Sequence, residues 1–313
     1  MEASGSSLIR AEGQPLVSVI VPCYNYADYI GDALRSVFSQ CYENFELIVV
    51  DDGSTDNSAD VIEQVLQGLS PARRLKRVVF IKQENQGVSA ALNAGLALAN
   101  GVFVATFDAD DVMPSGRLAL QAAYLNSHPE VGVLGGLAVR IDEHGALLPK
   151  KQKSRKIRRY DFEQALTDAL VVGGNIAMYR RDAMDAVGGY DPQIKIQDFQ
   201  MTLKIAHAGY VIDVLPEVVT LYRKHGDSLS KNYKAELRYS MEVIEPYAQF
   251  KGYPSARARL ITKALRLAVL HDKSYAWGLF RQVPLRQWDR QLFKRFRHFI
   301  FKRSRPGPAQ TLV

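Results

Sequence analysis

The chain has 313 residues, 47% of them hydrophobic, and two cysteines, Cys23 and Cys41, neither in a CxxC pair. That length supports a sizeable core in one large domain or two smaller ones, and the cysteine usage argues for free thiols in a reducing compartment over a disulfide scaffold. The net charge of +7 is local: 150–159 holds seven basic residues and no acid, 280–305 holds nine and one acid, and the remainder carries 24 basic against 32 acidic residues, which argues against nucleic acid as a partner.

Residues 1–15 lack a long apolar stretch and are expected to form a disordered leader, not a signal peptide. No segment approaches the roughly 20 apolar residues that span a bilayer. The first half then alternates. Strands are expected over 16–22, 45–52, 77–83 and 102–108, and helices over 28–40, 54–69 and 88–100. Short apolar strands separated by amphipathic helices predict right-handed βαβ units around a buried parallel sheet. Further on, 131–142 is expected as a strand, 175–182 as a strand entering a short helix, and 199–209 as a helix. Two strand-like runs, 210–216 and 218–225, follow, and from about Tyr233 the pattern turns helical and basic.

In such sheets ligands collect outside the carboxyl ends of the strands. Pro22 to Asn25, Asp51 with Asp52, and the cluster Asp108, Asp110 and Asp111 all fall at that edge. Carboxylates one residue apart at a strand end suit a hard divalent cation, Mg²⁺ or Mn²⁺, which keeps positions for a diphosphate. The alternative is a polar loop capping a helix near Ser115.

Four segments occur in order: "VSVIVPCYN", "FELIVVDDGSTDNSADVI", "ENQGVSAALNAGLALANG" and "FDADD". Together they resemble the family 2 glycosyltransferases, and the resemblance runs from about Val17 to Ser230. It implies a GT-A fold, α/β with a Rossmann-like, mostly parallel sheet flanked by helices, over 16–230. The nucleotide-binding half would be 16–114 and the acceptor-side half 115–230, with a basic helical region over 231–313. It implies transfer of a sugar, with inversion, from a nucleotide-diphosphate donor (a UDP- or dTDP-sugar) to an acceptor hydroxyl, in the synthesis of bacterial surface polysaccharide.

The same resemblance implies site residues. Pro22, Tyr24 and Asn25 would meet the nucleoside, with Tyr24 stacking on the base. Asp51 and Asp52 would accept from a pyrimidine N3–H or a ribose hydroxyl, or else cap the next helix. Gly87 and Asn93 would let the donor approach a helix N-terminus, or else form an ordinary turn and helix. Asp108 would face the ribose or sugar and Asp110 would ligate the metal, with Asp111 behind them. Asp198 aligns with the family's catalytic base, Gln197 standing where a Glu is usual; its plain alternative is a helix N-cap. In "LYRKHGDSLS", Tyr222, Arg223, His225 and Ser228 match a family pattern in which His225 completes the metal shell and Arg223 holds the diphosphate. Gly173 to Asn175 resembles a small-residue loop that leaves room for substrate.

Two basic segments remain. In 284–305 a helix starting at Pro284 would carry Trp288, Leu292, Phe296, Phe299 and Ile300 as one stripe, set either on an anionic membrane surface or on the protein body. Residues 150–159 are expected to be a mobile charged loop near the acceptor side. The expected partners are a nucleotide-sugar donor and a glycan or lipid-linked glycan acceptor. The expected location is cytoplasmic, free or peripheral on the inner face of the membrane. A haloacid-type phosphatase is disfavoured because its Asp pair belongs at the first strand, and a dinucleotide oxidoreductase because no GxGxxG follows that strand. The competing non-enzyme reading is a basic membrane- or nucleic-acid-binding protein.

Overall fold

The computed structural model describes residues 13–68, 75–149, 156–170, 172–225 and 232–302. Residues 1–12 of the leader, most of the 150–159 segment and Ser228 lie outside the described residues. The first half runs β1 (Val17–Cys23), α1 (Ala27–Phe38), β2 (Phe45–Asp51), α2 (Ser58–Gly68), β3 (Arg77–Lys82), α3 (Val88–Leu98) and β4 (Phe103–Thr106). Parallel pairing of β3, β2, β1 and β4 follows from their apolar runs, which leave β1, β2 and β4 buried on both faces.

The second half adds α4 (Arg117–Ser127), β5 (Val131–Ile141), β6 (Arg158–Tyr160), α5 (Phe162–Asp168), β7 (Met178–Arg180), α6 (Arg181–Ala186), α7 (Gln197–His207) and β8 (Val211–Arg223). The strand order is β3-β2-β1-β4-β7-β5-β8-β6, with β7 antiparallel to β4 and β5, and β6 antiparallel to β8. The two runs expected at 210–216 and 218–225 are one strand. Gly135 pairs with Val214 and Leu137 with Val218, so β8 bulges around Pro216, which has no N–H for the ladder.

The expectation of a charged loop over all of 150–159 is corrected at its end. Arg158 and Arg159 lie in β6, and Arg159 donates to both oxygens of the buried Asp213, at 2.9 and 2.7 Å. Asp213 also accepts from the Tyr124 hydroxyl at 2.7 Å. The pairing compensates a carboxylate carried on a strand interior.

α8 (Tyr233–Ile244), α9 (Tyr253–His271), α10 (Lys273–Phe280) and α11 (Arg290–Phe301) close the chain. Their buried faces share one continuous apolar cluster with α3, α7 and the sheet, from Ile20 and Val133 to Leu265 and Leu279. The helix expected from Pro284 begins later: a 3-10 turn covers Leu285–Gln287, and Asp289 caps α11 by accepting from the Leu292 N–H at 2.8 Å. Among the described residues no helix is long and apolar enough to cross a membrane.

Glu46 locks β1, β2 and the turn before β4 together. It is 1% exposed and accepts from Ser18 Oγ at 2.6 Å, the Asn100 N–H and side chain, and Arg77 at 3.4 Å. Burial raises its pKa, but these donors outweigh burial and the net direction is down. A carboxylate held below its unfolded pKa stabilises the fold above that pKa and loses the contribution as pH falls through the folded value. Glu46→Gln is therefore expected to cost about 1–3 kcal/mol near neutral pH. In urea titrations the gap between variant and wild type should shrink below pH 4.5, the group's ordinary value.

Candidate active site

The carboxyl ends of β1, β2 and β4 lie side by side, Cys23 opposite Asp51 and Ile20 opposite Thr106, so the loops that follow them form one rim. Asn25 stands in the left-handed region (φ 58°), and its Oδ1 accepts from the Thr55 N–H at 2.8 Å. Its own N–H donates to Ser54 Oγ at 3.0 Å, so Asn25 ties the β1 loop to the β2 loop. Tyr24 stays 44% exposed, one residue on from Cys23 at the end of β1.

The structure gives the two carboxylates of "DDGST" different work. Asp52 accepts from the Gln83 side chain at 2.7 Å and from the N–H groups of Gln86 and Gly87 at 3.0 and 2.8 Å. It latches the loop that enters α3. Gly87 has φ +88°, and nothing lies within 4 Å of where a Cβ would stand, so the glycine leaves open space before the helix. Asp51 is 3% exposed, and its Oδ1 is buried with no hydrogen-bond partner. A buried carboxylate oxygen left unpaired is costly, so Asp51 retains an acceptor that the protein does not use. Neither residue caps α2, which starts at Ser58 with the Asp56 carboxylate accepting from the Ser58 N–H at 2.9 Å. Asn93 is spent on Tyr190, donating to its carbonyl at 2.7 Å and accepting from its N–H at 2.9 Å. It clamps α3 to that loop.

Carboxylate oxygens of Asp108, Asp110 and Asp111 lie within 4.8 Å of one another. Asp111 is fully buried and already held: Asn175 Nδ2 donates to one oxygen and the Arg223 N–H to the other, at 2.9 Å. Burial and the neighbouring Asp110 nevertheless push its pKa up to about 7. Burial and the carboxylates of Asp111, Asp110 and Asp198 raise that of Asp108 well above the carboxylate range, against the pull of Arg117. His225 Nε2 stands 2.9 Å from Asp110 Oδ2, its ring 5.0 Å from that of Tyr29. Crowded, largely buried oxygens beside an imidazole form a donor set that fits a hard divalent cation.

Arg223 departs from its expected place on a diphosphate. It is 3% exposed, and its fork is used: Nε donates to the Asp110 carbonyl at 2.8 Å, Nη1 to the Glu143 carbonyl at 2.7 Å, and Nη2 reaches Asp32 at 3.3 Å. It braces the acidic loop from behind.

Asp198 lies in the first turn of α7, not at its N-cap, which is Ile196. Its Oδ1 accepts from the Phe199 N–H at 2.7 Å. Burial raises its pKa, opposed by the backbone N–H groups of Phe199 and Gly174. A Cβ on Gly173 would stand 3.8 Å from Asp198 Oδ2, and one on Gly174 would stand 3.9 Å from Asp108 Oδ1. Side-chain oxygens of Asn175 and Thr106 are nearer still to the two glycine positions, at 3.1 and 3.7 Å, and Asp198 is close enough for its charge to contribute to the raised pKa of Asp108. Gln197, beside Asp198, is half-buried.

Sequence reasoning missed Arg117. It is 1% exposed under the acidic loop, donating to the carbonyls of Asn175 (2.6 Å), Thr106 (3.2 Å) and Ala177 (3.0 Å), to Thr220 Oγ1 (3.1 Å) and to Gln121 (2.9 Å). The one available signal was its place six positions after Asp111, at the start of a helix that the sequence reading left out.

The description "Glycosyl transferase family 2" matches residues 18–188, more than half of the chain. The chain belongs to this family of glycosyltransferases, which has members in bacterial polysaccharide synthesis. The amylovoran biosynthesis glycosyltransferase AmsE of Erwinia amylovora is 27% identical over 218 residues, 69% of this chain and 79% of that protein. The fold matches residues 1–349 of S. aureus TarS in complex with UDP-GlcNAc with a TM-score of 0.62 at 20% identity, covering 91% of this chain and 80% of that fragment. It also matches the mannosyltransferase PcManGT of Pyrobaculum calidifontis, in complex with GDP-Man and Mn²⁺, with a TM-score of 0.57 at 21% identity over 93% of this chain and 86% of that one. These GT-A structures share its sheet flanked by helices.

Proposed function

We propose that the protein transfers a sugar, with inversion, from a UDP- or dTDP-sugar to a hydroxyl of a glycan or lipid-linked glycan acceptor in bacterial surface polysaccharide synthesis. The observation that supports this reading is the cluster of Asp108, Asp110 and Asp111 carboxylate oxygens within 4.8 Å of one another, with Asp198 close enough to contribute to the raised pKa of Asp108. The nucleoside lies along the rim, its base against Tyr24 and a ribose hydroxyl or pyrimidine N3–H donating to the unpaired Asp51 oxygen. Gly87 gives the donor access to the start of α3.

Asp108, Asp110 and His225 would hold Mn²⁺ or Mg²⁺, which when bound neutralises the charge that develops on the departing diphosphate. The binding of Mn²⁺ by the fold neighbour PcManGT supports this choice. Asp198 accepts the acceptor's hydroxyl proton. That oxygen then bonds to the anomeric carbon as the bond from the carbon to the diphosphate oxygen breaks. One in-line displacement needs no Ser or Cys nucleophile.

Incubation with a panel of nucleotide sugars in manganese buffer should release nucleoside diphosphate with one donor, and EDTA should stop the release. Asp110→Asn removes an anionic ligand and is expected to weaken donor binding by at least about tenfold in calorimetry, in line with the loss of one charge-assisted contact. A wild-type protein that binds no pyrimidine nucleotide with manganese present would overturn the reading, whether or not an acceptor is at hand.

A further inference from the structure

The expected stripe of 284–305 is settled in favour of the protein body. Leu292 is buried, and Trp288, Phe296 and Phe299 pack against the core, with the Phe280 ring 5.3 Å from Phe296 and 5.6 Å from Phe299. Ile300 alone of the five stays out, at 53% exposure. Docking that stripe leaves the other side of α11 in water, and that side is not the polar face such a helix needs there. Phe293 is 57% exposed and Phe301 78%.

Between the apolar residues stand Arg290, Lys294 and Arg297, all exposed. Spacings of four and seven (290–294, 290–297, 293–297, 293–300, 297–301) place the six residues on one side of the helix. Among the described residues no acid forms an ion pair with any of the three cations. The nearby acid, Asp289, is engaged as the N-cap. Among the described residues, five of the 11 large hydrophobics that stay exposed lie between Trp277 and Phe301.

We propose that the outward face of α11 docks the protein on an anionic phospholipid bilayer. Aromatic and aliphatic side chains enter the boundary between headgroups and acyl chains, while the interleaved cations meet lipid phosphates. A second copy of the chain fits less well, because a two-fold contact sets this uncompensated positive face against itself. A nucleic acid fits less well because the exposed aliphatic and aromatic side chains Ile300 and Phe301 offer nothing to a phosphate backbone, whereas the headgroup and acyl-chain boundary takes them. The inference is independent of the transfer chemistry and goes beyond it.

The test is co-sedimentation of the full chain with vesicles of phosphatidylcholine alone and of phosphatidylcholine mixed with phosphatidylglycerol. Binding should be at least about tenfold tighter on the anionic vesicles and weaken with salt. Phe293→Ser with Phe301→Ser should lower it by about tenfold with a melting temperature lower by no more than about 2 °C, because Phe301 is exposed and Phe293 keeps only an edge contact with the Trp288 ring. Arg290→Gln, Lys294→Gln and Arg297→Gln together should abolish the preference for anionic lipid. The proposal is overturned if the wild type binds neither vesicle or both equally, or if the Phe variant binds as well as the wild type. It also fails if light scattering shows a dimer that the Phe variant breaks while vesicle binding persists, or if the face binds single-stranded oligonucleotide and not vesicles.

Discussion

Replacing Asp198 by Asn should reduce sugar transfer by about 10²- to 10⁴-fold, the usual worth of a positioned general base. The substitution is informative because it is nearly isosteric. Asn keeps an oxygen that can accept from the Phe199 N–H, as Asp198 Oδ1 does at 2.7 Å, so the first turn of α7 keeps its contact. What disappears is the capacity to take a proton. Nucleotide binding with manganese and the melting temperature should stay at wild-type values while turnover falls. The pH dependence follows from the same burial. Desolvation raises the Asp198 pKa, so the ionised form that accepts a proton exists only above a pH higher than an exposed aspartate needs. The acid limb of turnover should therefore fall away at a pH above about 4, the ordinary aspartate value, and be absent from what activity the Asn variant retains. An Asn variant with full turnover would sink the assignment of the base, without touching donor binding.

How far the sequence carries depends on whether a residue's fate is set locally. The strands at Val17–Cys23 and Phe45–Asp51 are continuous apolar runs that only a twice-covered parallel sheet can bury, so the first half could be laid out from the sequence. β6 could not. Arg158 and Arg159 look like solvated charge until Asp213, 54 positions from Arg159, supplies a buried partner. The site divides in the same way. Carboxylates at strand ends announce a charged rim, but Asp51 and Asp52 are neighbours of one type, and only the distant loop at Gln83–Gly87 decides which of them is already satisfied. For Arg223 the family pattern names the residue. Its guanidinium is turned backward by the carbonyls of Asp110 and Glu143, contacts that no local pattern encodes. On α11 the period predicted an apolar stripe correctly, but the choice between body and membrane needed the rings of α10 in place.

Arg117→Met should be the most damaging single change to stability. The guanidinium gathers carbonyls from β4, from the 3-10 turn at Gly174–Ile176 and from the residue before β7, and it lies near enough to oppose the raised pKa of Asp108 and Asp111. Methionine fills much of the space but supplies no donor. Carbonyls of Thr106, Asn175 and Ala177 would each lose a partner in a region closed to water, and the acidic loop would lose one of the two buried cations beside it, Arg223 being the other. Removing one side of such a buried charge network costs about 3–5 kcal/mol. For a chain of this size that corresponds to a melting temperature lower by roughly 5–8 °C. Arg117→Lys should fall between the two, because it restores the charge without the planar fork that reaches several carbonyls at once. A divalent cation should recover part of the loss in both variants, since it opposes the same carboxylate repulsion from the open side that Arg117 opposes from below. If Arg117→Met melts within a degree or two of wild type, the buried fork is not what holds the acidic loop against the sheet.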